Sequence, residues 1–182
     1  TIAAILEGFV AVAKAVGRPE RGQQLVSELR AQIEAVRQRV AGLPRPRVAC
    51  LEWIEPPFAM GNWGPELVEL AGGENLLGTS GAHSTSTPWQ AVRDANPDVL
   101  IITPCGFSLA RAEQEMPLIA SLPGYRELTA ARTDNVFVAD GNLYFNRSSP
   151  SLFDTPEILA EMLHPSAFEP RHEGRAWRRF RG

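Results

Sequence analysis

A chain of 182 residues is long enough for one well-packed domain and does not on length alone demand two. With 44% hydrophobic and 21% charged residues its composition is that of an ordinary globular protein. A net charge of −3 gives no general reason to expect nucleic acid or an anionic membrane as partner.

The start, Thr1-Ile2-Ala3-Ala4-Ile5-Leu6, has neither an initiating Met nor a basic leader region, so no signal peptide is visible and a longer or processed chain is expected. Ile2, Ile5, Leu6, Phe9, Val12, Ala13 and Val16 fall at helical spacing. Gly17 supplies a stop, and Pro19 with Glu20 restarts a helix whose apolar face is Leu25, Leu29, Ile33, Val36 and Val40. Gly42, Pro44 and Pro46 end it. Residues 1–46 thus read as one long helical region with a break at Gly17.

From Arg47 onward the pattern alternates. Val48-Ala49-Cys50-Leu51 reads as a buried strand, followed by ten residues rich in Trp, Pro and Phe and a helix from Pro65 to Ala71. A Gly/Ser/Thr loop over 78–87 precedes a short helix around Trp89–Ala95. Asn96-Pro97-Asp98 then launches the strand Val99–Thr103. Helices are expected over Ser108–Leu122 and Tyr125–Ala130, a last strand over Val136–Ala139, and a final helix from Asp154 to Leu163. This alternation predicts an α/β fold: a long N-terminal helix packed on a small parallel, Rossmann-like sheet with helices on both faces. Residues 47–165 form the α/β lobe. The tail, 166–182, carries five arginines against two glutamates and reads as a solvated or loosely packed basic terminus, with a basic arm for an acidic surface as the other reading.

Three loops follow the three strands, and in a parallel sheet they emerge at one edge, where such sheets place ligands. The first carries Trp53, Phe58 and Trp63. The second is Thr103-Pro104-Cys105-Gly106-Phe107. The third, Asp140–Ser151, carries Tyr144, Phe145 and Arg147. A mostly apolar wall with few polar anchors is how small-molecule sites are built, so the pattern suggests a rim for a flat, largely apolar ligand. Each aromatic has a packing alternative: Trp53 as core, Trp63 as a staple across its helix start, Trp89 as the anchor of its short helix. Catalytic readings are thinner. Cys105 at a strand end before a helix is a candidate nucleophile, but it needs a base and His83 is the only histidine in the central region. No metal-site spacing, phosphate loop or paired carboxylates stand out. A bridge between Cys50 and Cys105 is left open, with reduced thiols the plainer expectation.

Leu51-Glu52-Trp53 with Pro56-Pro57, Gly61-x-Trp63-x-Pro65-Glu66, Ala71-Gly72-Gly73, Asn96-Pro97-Asp98 and Pro104-Cys105-Gly106-Phe107 together resemble the cobalamin-binding proteins of ABC transporters. In these, two α/β lobes are joined by one long helix, and haem- and ferric-siderophore-binding relatives share the architecture. The resemblance covers about residues 2–165 and implies a C-terminal lobe plus bridging helix. It implies a non-catalytic solute-binding role for cobalamin or a similar tetrapyrrole, a periplasmic or extracytoplasmic location, and an ABC permease as partner. Phe58 matches a corrin-contacting aromatic, the Trp89 region a second-loop wall, and Arg147 a polar contact. Trp53, Trp63, Cys105, Gly106, Phe107, Tyr144 and Phe145 complete the expected ligand set. Two departures stand out: Gln90 replaces the glutamate that relatives dock on the permease, and Arg147-Ser148-Ser149-Pro150-Ser151 replaces an Arg-Pro-Gly-Pro-Arg loop. The competing expectations are haem or ferric-siderophore binding in the same fold, a thiol-dependent enzyme or redox protein using Cys105, and a degenerate lobe whose exposed aromatic face is covered by another protein or a second copy.

Overall fold

The computed structural model describes residues 1–182. The helical region resolves into two helices, α1 (Ile2–Ala15) and α2 (Pro19–Val40), packed along each other. Thr1 caps α1 by accepting a hydrogen bond from the Ala4 amide. Gly17 turns the chain at φ +72°, where glycine alone is unstrained, and Arg18 N donates to Ala13 O across the turn. Gly22 permits the close approach: a Cβ there would sit 2.4 Å from that of Ala13. α2, about 33 Å long at ~1.5 Å per residue, packs against the helices that cover one face of the sheet.

The lobe then runs β1 (Arg47–Ile54), β2 (Pro57–Ala59), α3 (Gly64–Leu70), β3 (Glu74–Asn75), β4 (Thr85–Ser86), α4 (Trp89–Ala95), β5 (Val99–Ile102), α5 (Leu109–Ala120), α6 (Thr129–Arg132), β6 (Val136–Ala139), α7 (Thr155–Leu163) and β7 (Trp177–Arg179). The sheet order is β4-β2-β1-β5-β6-β7, with β3 beside the start of β1. β1, β5 and β6 are parallel, as the alternating pattern predicts, whereas β2, β4 and β7 pair antiparallel, so the sheet is mixed. The strand expected to end at Leu51 continues to Ile54 and returns through β2. Trp53 therefore lies within β1, not in the loop after it.

The pleat divides the core. Val48 and Cys50 of β1, Val99 and Ile101 of β5, and Phe137 and Ala139 of β6 pack with Leu6, Leu29, Val36, Leu67 and Ile158 on the α1–α2–α3–α7 side. The alternate residues, Ala49, Leu51, Leu100, Ile102, Val136 and Val138, pack with Val92, Ala112, Met116, Ile119 and Ala130 on the α4–α5–α6 side. Every residue of β5 and β6 is buried. A strand buried on both faces must read as a continuous apolar run, which is why these two are plain in the sequence.

The tail corrects the expectation of a loosely packed terminus. β7 pairs with β6 through Phe137–Arg179, Val138–Arg178 and Ala139–Trp177. Ala176, Trp177 and Phe168 are buried, and Trp177 meets Phe137 edge-to-face at 5.4 Å. The reason is one buried carboxylate on α7. Glu161 is 2% exposed and accepts hydrogen bonds from the Trp177 indole (2.8 Å), the His172 amide (3.1 Å) and the His172 ring (2.7 Å). A buried carboxylate is stable only when its lone pairs are filled, and the tail fills them. Truncating Trp177 to Ala empties this corner, so Trp177→Ala is expected to lower stability by about 3–5 kcal/mol. A urea midpoint equal to that of the parent chain would show that the tail contributes nothing.

Candidate functional site

The C-terminal ends of β1, β5 and β6 carry the three loops singled out in the sequence, and main-chain bonds join them. Thr103 N donates to Leu51 O and Cys105 N to Glu52 O, extending the β1–β5 ladder beyond the strands. Asn142 N donates to Phe107 O, and the Asn146 side chain donates to Thr103 O. Asp140 caps the third loop: its carboxylate accepts from Leu143 N and, more weakly, from Leu109 N at the start of α5. The backbones are too close for any side chain at position 141, where a Cβ would lie 2.1 Å from Pro104 O. The loops form one rigid edge.

Part of the expected residue set comes together there. Trp53, 38% exposed, stands edge-to-face with Phe107 at 5.4 Å. The β1–β2 register sets Phe58 directly opposite Trp53, so Phe58, Trp53 and Phe107 follow one another along the edge. Cys105 and Gly106 are exposed beside them. Arg147 is exposed and donates to the Asn142 side chain at 2.9 Å, which holds it at the flank of the third loop. A cavity of about 220 Å³ opens between Trp53, Pro104, Phe107 and Leu118.

Four expected residues lie elsewhere. Phe145 is fully buried and Tyr144 is 5% exposed; both belong to the core under the edge. The reason is a tight π-helical turn over Gly141–Phe145, which sends Leu143 outward (43% exposed) and its two aromatic successors inward. Trp63 donates through its indole to Phe145 O at 2.8 Å and lines a separate groove beside Ile5, Gly8 and Phe9 of α1. Trp89 donates to Pro123 O at 2.8 Å and packs against the second core, anchoring α4. For these two the packing alternative describes their contacts. Gln90 is exposed on α4 and donates to Asp94.

The edge also contains residues that sequence reasoning passed over. Arg111, in the first turn of α5, lies 4.8 Å from the Phe107 ring centroid and pairs with Glu115. Its spacing from Phe107, four residues on, was the available signal. Glu52 was visible as a charge inside an apolar run: it has no ion-pair partner, and burial raises its carboxyl pKa, opposed by the hydroxyl of Ser84. Cys105 is a free thiol, not bridged to Cys50, and both burial and the Glu52 charge raise its pKa. No base hydrogen-bonds to its sulfur, and His83 is exposed in its own loop. Nothing here activates a nucleophile. Cys50 is buried beside Met60 and its thiol is pushed strongly upward. A thiol reagent is therefore expected to modify one cysteine per native chain, Cys105, and slowly near neutral pH; two equivalents consumed without denaturant would contradict this placement.

A doubly covered α/β lobe gathers the loops after its parallel strands at one edge, the place where sheets of this class take their ligands. A profile of periplasmic binding proteins matches residues 1–143, and the chain belongs to that family. No curated protein matches the sequence. Similar solved structures include an ABC transporter substrate-binding protein from Listeria monocytogenes EGD-e, with a TM-score of 0.79 at 20% identity over 91% of this chain and 65% of that one. A periplasmic heme-binding protein from Pseudomonas aeruginosa gives 0.78 at 20% over 92% and 61%. An ABC-type Fe3+-hydroxamate transport system protein from Saccharomonospora viridis DSM 43017 gives 0.72 at 24% over 90% and 56%. At these identities the likeness is one of fold, and the chain spans between about half and two thirds of the length of each. No helix is long and apolar enough to cross a membrane.

The charge of Glu52 has a thermodynamic consequence. A carboxyl whose folded pKa is raised binds its proton more readily in the folded state than in the unfolded one. Its contribution to stability is present below the ordinary value of 4.5 and is lost as pH rises through the raised folded value. Glu52→Gln removes the charge and is expected to be more stable than the parent at pH 7, with the gap closing towards pH 4. A Gln variant less stable at pH 7 would reverse the sign and refute the assignment.

Proposed function

We propose that this chain is a ligand-binding lobe of an ABC importer's substrate-binding protein, and that its ligand is a flat metal chelate, cobalamin or a similar tetrapyrrole. The observation that carries this reading is the aromatic edge: the exposed Trp53 of β1, with Phe58 of β2 as its register partner and Phe107 of the second loop edge-to-face with it. An exposed Trp–Phe pair held rigid by hydrogen-bonded loops loses little entropy when a flat ligand covers it. The Arg147 guanidinium, fixed by Asn142, and the Arg111 guanidinium over Phe107 offer polar contacts at the margins. The chemistry is recognition without covalent change, since the one exposed thiol has no activating group.

Haem and a ferric siderophore are the second reading, favoured by the heme-binding and Fe3+-hydroxamate proteins among the similar folds. A permease would be the downstream partner and an extracytoplasmic compartment the setting, as for other members of the family. Gln90 leaves the exposed start of α4 without a carboxylate of its own, the nearest being Asp94 one turn on.

The test is a visible-absorption titration of the purified chain with cyanocobalamin, hemin and a ferric hydroxamate. One lobe covers one side of a chelate, so binding is expected to be saturable but weak. Burying a Trp or Phe ring is worth about 1.5–3 kcal/mol, so Trp53→Ala and Phe107→Ala should each weaken the true ligand by roughly tenfold or more. Trp89→Ala, whose indole is bound to the Pro123 carbonyl and not to Trp53 or Phe107, should leave affinity unchanged. Affinities indifferent to Trp53 and Phe107 would remove the basis for placing the ligand here.

A further inference from the structure

At the other end of β6 from the aromatic edge, a cavity of about 260 Å³ lies between the turn after α5, the residues leading into β6 and those following β7. Ala120, Val136 and the Phe180 ring give it an apolar floor, and its polar side chains are Tyr125, Arg126 and Asp134. The Phe180 amide donates to Val136 O, which continues the β6–β7 pairing and fixes this wall. Tyr125 is 5% exposed, yet its hydroxyl has no hydrogen-bond partner in the protein. Nor is that hydroxyl sealed off, since Thr103 Oγ1 is the one fully buried side-chain oxygen or nitrogen without a partner. It therefore opens on the cavity that Tyr125 lines. Burial and then the charge of Asp134 raise the phenol pKa, so the hydroxyl stays protonated with the Asp134 carboxylate near it. Asp134 is bonded to Ala131 and Arg179 through its main chain alone, and its carboxylate bonds nothing. Arg126 is in no ion pair either, its neighbour Glu127 being the partner of Arg93. A cation and an anion that share one cavity without pairing leave room for a ligand that meets both.

We propose that this cavity is a second binding site, for a free α-amino acid with an apolar side chain. The Arg126 guanidinium receives the carboxylate, the Asp134 carboxylate receives the ammonium group, and the side chain lies against Val136 and Phe180. The Tyr125 hydroxyl can both donate and accept, so it adds a hydrogen bond at the charged end of the ligand. One protein charge of each sign matches a zwitterion. A simple carboxylate leaves Asp134 unmatched beside it, and a simple amine leaves Arg126 unmatched. Drug-sized ligands need upwards of roughly 300 Å³, so the cavity is too small for a tetrapyrrole and suits one amino acid. It shares no residue with the aromatic edge and is independent of the chelate-binding reading.

The test is a titration of the full chain with leucine, followed by NMR at the Tyr125 and Phe180 ring resonances. Isoamylamine, which lacks the carboxylate, 4-methylpentanoate, which lacks the ammonium group, and glycine, which lacks the side chain, are titrated in parallel. Leucine is expected to give saturable shifts, and each of the three analogues to bind about tenfold more weakly or worse, the size of one hydrogen bond to a charged group or one buried aliphatic side chain. Arg126→Gln and Asp134→Asn should each weaken leucine by a similar factor. Both residues are exposed, and Asn tolerates the left-handed backbone of position 134 (φ +56°), so these variants keep the fold. Tyr125→Phe, which keeps the ring and removes the hydroxyl, should weaken leucine too, whereas Trp53→Ala at the aromatic edge should not. No saturable shift with leucine, an analogue that binds as well as leucine, or an affinity indifferent to Arg126→Gln or Asp134→Asn would each overturn the proposal. A chain that binds a chelate but no amino acid would overturn this site and leave the chelate-binding reading standing.

Discussion

At Gly141 the third loop passes so close to the Pro104 carbonyl that no side chain fits between them. Two parallel strands can carry their loops this close only when the loops complete each other's hydrogen bonding, and here they do: Asn142 to Phe107, Asn146 to Thr103, Cys105 to Glu52. The edge formed by the three loops is thus a continuation of the sheet. Its rigidity comes from strands buried on both faces, and the two helical layers supply that burial. The aromatic pair at the edge is a consequence of the same few main-chain contacts.

The edge is chemically two-sided. On the α4–α5–α6 side the exposed chemistry is aromatic and cationic, with Trp53, Phe107 and Arg111 in contact. On the other side stands the half-buried Glu52 carboxylate, with the Ser84 hydroxyl as its neighbour.

Much of this was legible in the sequence because it depends on local pattern. The buried strands at Val99 and Val136 are uninterrupted apolar runs, the helix stops are glycines and prolines, and the family motifs cluster at the strand ends. What was not legible depends on partners distant along the chain. Nothing in Ser166–Gly182 announces an edge strand, since its burial is decided by Glu161 on α7 and Phe137 on β6. Tyr144 and Phe145 look like their exposed neighbours; only the π-helical turn decides which side chains of that loop face the core. Glu52 stands within a motif yet is passed over as chemistry, because a lone charge in a strand has meaning only once its burial and its lack of a pairing cation are known.

The arginines of the tail acquire a further role from where β7 ends up. It is the outermost strand on one side of the sheet, three residues long, with Arg178 held to Glu113 and Arg179 over the Phe137 ring. The opposite border is β4, two residues long. Short strands and strand-border cations are what keep open sheets from recruiting further strands and growing into aggregates. Both borders of this sheet are therefore poor templates for a further strand, one through its cations and its brevity and the other through its brevity alone.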